Sequence, residues 1–315
     1  KNMKKNKLPK VTFGFVNCNR LHYLKSCLES FLLCTEDYQN KEIIVVDNAS
    51  TEDGTDEYIE DLMQRGFKVF RQKQRDPSNE YAKALNIIAE NATGKYVAPI
   101  PADVQFVVKG GWLKEYIEFF EKYEDTTGCI SFDAQRRVRN AAGSYSNLLG
   151  AGDFKFLYHF NRNPIMGAMN CMVTKEMLDR IYPWPTSNSA HEGGGDSETK
   201  MLKKIQNLLR GSDMQKFYSA PAIPVSIGIF NEKGGNARVR GNMRFGDYWA
   251  PPSDDTGVCY YKIHKFDSVV EKYGEENKPT SIEDISEAMG WKLPIDASGD
   301  WIKLKDSPNL VGVQV

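Results

Sequence analysis

The sequence is short of several features that would each have named a function class. Its 315 residues hold six cysteines and no C-x-x-C pair. Cys18, Cys27, Cys34, Cys129, Cys171 and Cys259 lie too far apart for a zinc site or a disulfide framework, and are expected as reduced thiols. Basic and acidic residues nearly cancel, 41 against 42. A net charge of −1 argues against a nucleic-acid binder that works through a broad basic surface. No apolar run approaches the ~20 residues of a membrane-spanning helix. Residues 1–10 are polar and basic and run straight into an apolar strand, so no signal-peptide core is expected. No G-x-G-x-x-G follows that strand, and no glycine-rich loop with Arg and Lys does either. These two absences set aside a dehydrogenase and a sugar-phosphate nucleotidyltransferase.

What the chain does have is centred on residues 41–55, KEIIVVDNASTEDGT. Ile43, Ile44, Val45 and Val46 are too few for a helix and rich in β-branching, and read as a strand buried on both faces. Turn chemistry follows at Asp47, Asn48, Ser50 and Asp53-Gly54, and an amphipathic run begins near Asp56. A buried parallel strand that ends in an acidic turn and feeds a helix is where an open α/β sheet binds its ligand. A carboxylate there can accept hydrogen bonds from a nucleobase or a ribose.

The segment VVDNASTEDGT resembles the V-D-[DN]-[GA]-S-x-D-G-T segment of family 2 glycosyltransferases, which have the GT-A fold. The resemblance implies that Asp47 hydrogen-bonds the base of a sugar nucleotide, with Asn48 and Ser50 beside it.

The flanking pattern is consistent with that family. Residues 11–16 (VTFGFV) read as a first strand, and Asn17-Cys18-Asn19-Arg20 as its exit turn, with Asn19 expected to cap the next helix. Leu21, Leu24, Leu28, Phe31 and Leu32 fall on one helical face. The family keeps Asn-Arg at this turn, which implies nucleotide contacts for Asn19 and Arg20; a plain strand–helix turn is the alternative. A helix over 56–63, a strand over 67–70 and a polar loop over 71–79 follow. The helix 80–92 carries Ala84-Leu85-Asn86, similar to the family's A-[RL]-N element, which lines ribose and diphosphate. That implies a donor-binding role for Asn86 and Lys83, although a solvated Lys83 would look the same in sequence.

A second landmark is the strand 96–100 leading to Pro101-Ala102-Asp103. GT-A enzymes end this strand in a D-x-D-like motif whose last Asp holds a divalent cation against the diphosphate. Here the first acid is absent and the last is kept. The resemblance therefore implies Ala102 and Asp103 at the donor and Asp103 on Mn²⁺ or Mg²⁺. Such a cation needs few protein ligands when phosphates and water supply the rest, so a weak or dispensable metal is expected. The histidine that completes the site in metal-dependent relatives is missing from residues 225–230, which leaves His264 (or His191) as a candidate.

A third landmark is the run 191–209, HEGGGDSETKMLKKIQNLL. Met201, Leu202, Ile205, Leu208 and Leu209 mark a helix, with Asp196 at its start. Family 2 places an [ED]-D-x-[ED] element here, and its Asp is the general base of inverting members. Asp196-Ser197-Glu198 fits the D-x-E part, while Gly195 replaces the preceding acid. Asp is also a preferred helix cap, stabilised by the helix dipole, and both roles can hold together. Beyond it, Arg238 and Arg240 lie in a glycine-flanked basic loop that could close on a diphosphate.

The expected fold is α/β, a GT-A-like, mainly parallel or mixed sheet flanked by helices. The domain spans residues 8–240, and a helical C-terminal extension spans 241–315. Strands are also expected over 128–132, 168–173, 216–219 and 224–229, a helix over 112–123, and Thr174 as a cap; residues 143–163 show no pattern. The expected function is transfer of a sugar, with inversion, from a nucleotide-diphosphate sugar, UDP first, to a hydroxyl of a glycan, lipid-linked or other acceptor. The alternative is a non-catalytic sugar-nucleotide-binding protein on a degenerate transferase scaffold. No nucleic-acid partner and no transmembrane segment are expected. A cytoplasmic place is, with a peripheral position at the membrane left open.

Overall fold

The computed structural model describes residues 8–102, 104–106, 111–125, 127–132, 145–151, 154–159, 170–186, 195–209, 217–221 and 225–228. The expected extension, residues 241–315, lies outside them.

The chain opens β1 (Val11–Asn17), α1 (Leu21–Cys34), β2 (Lys41–Asp47), α2 (Thr55–Gln64), β3 (Lys68–Arg71), α3 (Glu80–Asn91) and β4 (Tyr96–Pro101). β1, β2, β3 and β4 are mutually parallel where they pair, in the order β3-β2-β1-β4. Every residue of β1 is buried, as is every residue of β2 after Lys41. Strands covered on both faces are mostly apolar, which explains the unbroken runs at their centres, with buried polar residues at Thr12, Asn17, Glu42 and Asp47 toward their ends.

After β5 (Val104–Phe106), α4 (Trp112–Lys122) and β6 (Thr127–Ser131), the sheet becomes mixed. β7 (Tyr145–Ala151) and β8 (Phe154–His159) form an antiparallel pair. β9 (Cys171–Thr174) inserts antiparallel between β4 and β6. Next come α5 (Lys175–Ile181), α6 (Gly195–Leu209), β10 (Phe217–Pro221) and β11 (Ser226–Gly228). The full order is β3-β2-β1-β4-β9-β6-β10-β8-β7, with β11 and β5 as a separate antiparallel pair. The mixed α/β sheet expected from the sequence is the one observed. The β7–β8 hairpin falls in the stretch where the sequence showed no pattern. Thr174 caps α5 as expected, accepting from Met177 N at 3.1 Å.

Alternate residues of the central strands supply two cores, as the pleat requires. Val11, Phe13 and Phe15 of β1 join Ile43 and Val45 of β2 against α1, α2 and α4. On the other face Val16, Ile44 and Val46 meet Ala84, Leu85 and Ile88 of α3, Leu178 of α5, and Met201 and Ile205 of α6. Full burial of such a side chain stabilises by about 1.5–3 kcal/mol. Gly14 lets α3 lie close on β1, because a Cβ there would stand 2.5 Å from Ile88 Cδ1.

Candidate functional site

The parallel strands β1, β2 and β3 end level with one another. Asn17 pairs with Asp47, and Asp47 with Arg71. This carboxyl edge is the end of the sheet at which open α/β proteins bind ligands. Its turns are held in uncommon backbone: Asn19 (φ 50°) and Ala49 (φ 51°) both have positive φ, a region that Asn visits readily but that costs Ala49 about 1–2 kcal/mol.

Asp47 is fully buried. Oδ1 accepts from Asn17 Nδ2 at 2.9 Å and from Ser50 Oγ at 2.6 Å. Oδ2 accepts from Ser50 N at 3.1 Å and from Arg71 Nε at 3.2 Å. A carboxylate offers about four lone-pair sites, and here all four are filled. Arg71 is the outermost of these partners, since its side chain is 35% exposed. It also donates to Asp56 Oδ1 at 2.7 Å and to Ser50 O at 3.3 Å. A base that reaches Asp47 must therefore take the place of Arg71.

Around this filled carboxylate lies unused hydrogen-bonding capacity. Asn17 Oδ1, Asn48 Oδ1 and Gln72 Nε2 are buried without a partner. Asn17 and Asn48 are at most 2% exposed. The backbone ties these residues to one another, through Asn48 N to Asn17 O at 2.8 Å and Gln72 N to Asp47 O at 2.8 Å. A buried amide oxygen without a donor costs about 1–3 kcal/mol, so the edge holds polar groups that a ligand with complementary groups could satisfy.

Ser50 is spent on the turn itself, donating to Asp47 and accepting from Asn19 N at 2.8 Å. Asn19 does not cap α1, contrary to expectation. Its Oδ1 accepts from Thr51 N and Glu52 N, knitting the two turns together. Glu52 supplies the acceptor at the helix start instead, taking Leu21 N at 2.8 Å. Arg20 is the residue that precedes α1. Cys18 donates to Asn48 O at 3.5 Å. Burial and the nearby Glu80 carboxylate push its thiol up to about 12, so it is not a thiolate nucleophile near neutral pH.

The β3–α3 loop closes the same edge. Glu80 is buried and forms a two-point ion pair with Arg75, Nε to Oε2 at 2.8 Å and Nη2 to Oε1 at 3.0 Å. Lys83 pairs with Asp76, whose carboxyl is held below its usual range chiefly by that hydrogen bond. Asn86 faces Trp184, donating to Trp184 O at 3.1 Å and accepting from Trp184 N at 2.7 Å. Ala102 follows β4 at the carboxyl edge and is buried in the core. Asp103, Arg238, Arg240 and His264 lie outside the described residues. Among the described residues, no group of three His, Cys, Asp or Glu side chains could hold a metal ion.

Asp196 is the second residue of α6, and contacts farther along the helix fix which end of the sheet it occupies. α3 starts at the carboxyl edge and runs back from it. Tyr182 meets Glu90 near the far end of α3, and Trp184 meets Asn86 one turn nearer the edge. The segment 182–186 therefore climbs toward that edge. α6 descends past it, with Lys200 on Thr186 O at 3.4 Å and Lys204 on Pro183 O at 2.9 Å. Asp196, one turn before Lys200, thus belongs to the same end of the sheet as Asp47.

In the sequence, Arg71 and Gln72 carry no assigned role, and Asn17 is placed only in the exit turn of β1. Their shared position follows from β3 pairing in parallel with β2, which sets the Arg closing β3 beside the Asp closing β2.

Comparison with known proteins places the chain. The model of glycosyl transferase family 2 matches residues 14–181, just over half of the sequence. An uncharacterized glycosyltransferase of Rickettsia felis is 27% identical over 136 residues, which cover 43% of this chain and 21% of that protein. A second, from Rickettsia conorii, is 27% identical over 136 residues, covering 43% of this chain and 20% of its own length. The match thus spans about a fifth of these curated relatives. Among solved structures, a mannosyltransferase from Pyrobaculum calidifontis in complex with GDP-Man and Mn²⁺ is 19% identical, with a TM-score of 0.47, over 90% of this chain and 76% of that one. S. aureus TarS 1-349 in complex with UDP is 16% identical, with a TM-score of 0.44, over 67% of this chain and 60% of that one. At these scores the structural likenesses carry no argument about donor or acceptor. The family match is the decisive one, for it runs from the middle of β1 to the end of α5 and takes in the whole Asp47 edge: the chain belongs to glycosyl transferase family 2.

Proposed function

We propose that the chain transfers a sugar from a nucleotide-diphosphate sugar to an acceptor hydroxyl, with inversion. The observation that carries this reading is the edge formed by Asn17, Asp47, Asn48 and Gln72. There a filled carboxylate is ringed by buried polar atoms without partners. The donor's base fits there, meeting Asn48, Gln72 and the Asp47 oxygen that Arg71 yields. A uracil offers an N–H donor beside carbonyl acceptors, and an amide oxygen, an amide N–H and a carboxylate answer both kinds of group.

In this reading Asp196 accepts the proton of the attacking hydroxyl. The acceptor oxygen bonds to the anomeric carbon, the bond from that carbon to the phosphate oxygen breaks, and the nucleoside diphosphate leaves. A carboxylate at a helix start has a low proton affinity, so it takes the proton only as the oxygen attacks. Arg238 and Arg240 are proposed to stabilise the charge that develops on the diphosphate. If Arg238→Ala and Arg240→Ala both leave turnover and donor affinity intact, that assignment is wrong. Asp103 is proposed as the residue that meets a divalent cation, if the reaction uses one.

Calorimetry with UDP, GDP and dTDP, each with and without Mn²⁺, tests the reading. Binding of one nucleotide well above the others supports it and names the carrier. Binding of none overturns both this reading and the sugar-nucleotide-binding alternative, whereas binding without any donor cleavage favours the non-catalytic one. Slow donor hydrolysis that disappears in Asp196→Asn then assigns the base.

A further inference from the structure

Asn86 lies in the element that the family resemblance assigns to ribose and diphosphate, yet its amide is engaged elsewhere. Both ends bond to the backbone of one residue, Trp184, 98 positions along the chain. The pairing matches what a neighbouring strand would offer, and it satisfies the N–H and the C=O of Trp184 together. The Trp184 indole is buried in the same core as Met201 and Ile205 of α6 and Ala82 and Leu85 of α3. From the opposite side, Lys204 and Lys200 of α6 donate to Pro183 O and Thr186 O. Segment 183–186 is therefore a spacer gripped between α3 and α6, and Asn86 is its two-point anchor on the α3 side.

We propose that Asn86 is a positioning residue, whose bidentate hold on Trp184 sets the segment against which α6 packs and so fixes Asp196 at the carboxyl edge. This rests on the reading of Asp196 as the base. Asn86 acts through the α6 scaffold and does not touch the donor. A donor-lining amide and a scaffold amide then predict opposite kinetic signatures. Loss of the first weakens donor binding. Loss of the second leaves donor binding alone and slows the step that needs the base in place.

The test uses Asn86→Asp, which keeps the size but turns the donor to Trp184 O into an acceptor, and Asn86→Ala. A third variant, Lys204→Ala, loosens the same segment from the other side. Turnover is followed as hydrolysis of whichever of UDP-glucose, UDP-N-acetylglucosamine and GDP-mannose the wild type cleaves. Donor affinity is followed by calorimetry with the matching nucleoside diphosphate. Asn86→Asp is expected to lower kcat at least tenfold with KM and nucleotide Kd within twofold, and Lys204→Ala to lower kcat about threefold with the same split. Hydrogen exchange should quicken at Trp184 and in the first turns of α6, while β2 and α1 keep their protection. A nucleotide Kd that weakens in step with kcat would overturn the proposal, as would unchanged exchange in α6. So would a loss of thermal stability with kcat per folded molecule intact. Full turnover in Asp196→Asn would instead remove the base reading, and the exchange experiment would still report whether Asn86 holds α6.

Discussion

Glu42 and Asp47 lie at opposite ends of β2, both buried, and each accepts four hydrogen bonds from the protein. Glu42 takes Thr12 Oγ1 at 2.7 Å, Thr93 N at 2.8 Å, Lys68 Nζ at 2.7 Å and Thr93 Oγ1 at 2.9 Å. Its donors are themselves engaged, since Thr12 Oγ1 accepts from Gly94 N and Thr93 Oγ1 from Lys10 Nζ. Burial pushes the Glu42 carboxyl up, but the hydrogen bonds from Lys68, Thr12 and Thr93 outweigh it and bring it down to about 2. Around Asp47 the neighbours Asn17, Asn48 and Gln72 each keep a buried polar atom without a partner. What separates the two ends of β2 is thus not the carboxylate or the number of its bonds. It is whether the next layer of polar groups closes within the protein.

The sharpest way to break this contrast is Asp47→Asn. It removes the charge that anchors the edge and is expected to weaken UDP binding by roughly 10- to 100-fold, in line with the ~1.5–3 kcal/mol of a hydrogen bond to a charged group. Wild-type affinity in calorimetry would place the base somewhere else. Glu42→Gln should do the reverse, leaving nucleotide affinity unchanged and costing about 2–3 kcal/mol in urea unfolding as charge-assisted bonds are lost.

The same carboxylate gives a pH signature. Its folded pKa lies below the ordinary value of 4.5, so its contribution is complete above 4.5 and is lost as pH falls toward about 2. Between those limits the wild type should lose stability more steeply than Glu42→Gln, and parallel slopes would count against the brace.

Gly94→Ala probes the braced end without touching charge. The new Cβ would stand 2.6 Å from Thr12 N and 2.8 Å from Tyr96 O, both backbone atoms, at a cost of about 1–3 kcal/mol of overpacking. Unfolding midpoints measure that cost, and nucleotide affinity should not move. The smallest effect is expected from Arg71→Ala. Removing the group that a base must displace should tighten UDP binding about threefold. Tenfold weaker binding would show instead that Arg71 itself holds the nucleotide.

How much of this could be read in the sequence varies by element. β1, β2 and β4 were legible because strands buried on both faces cannot hide their apolar runs, and α1 and α3 because their helical faces repeat. The edge itself was found through Asp47 and Ser50, whose turn chemistry is local. Arg71 and Gln72 were passed over as the start of a polar loop. Their meaning depends on β3 lying next to β2, a fact of the sheet and not of the string. Asn19 looked like a helix cap and proved to be a tie between two turns, because Glu52, 31 residues past the start of α1, reaches its first amide. Asn86 stands out in the sequence for its place in the A-L-N element, but its partner is 98 residues away and leaves no trace nearby. The β7–β8 hairpin lies in residues 143–163, a stretch rich in Gly, Asn and aromatics that shows no pattern to read.

The alternation of β1 and β2 between two cores has a further effect on how the domain comes apart. Phe13 and Phe15 serve one face while Val16, Ile44 and Val46 serve the other. Neither helical layer can peel away without laying bare apolar side chains on a sheet that the other layer still needs flat. Trp112 and Trp184, one buried on each side, should therefore lose their sheltered surroundings at a single temperature.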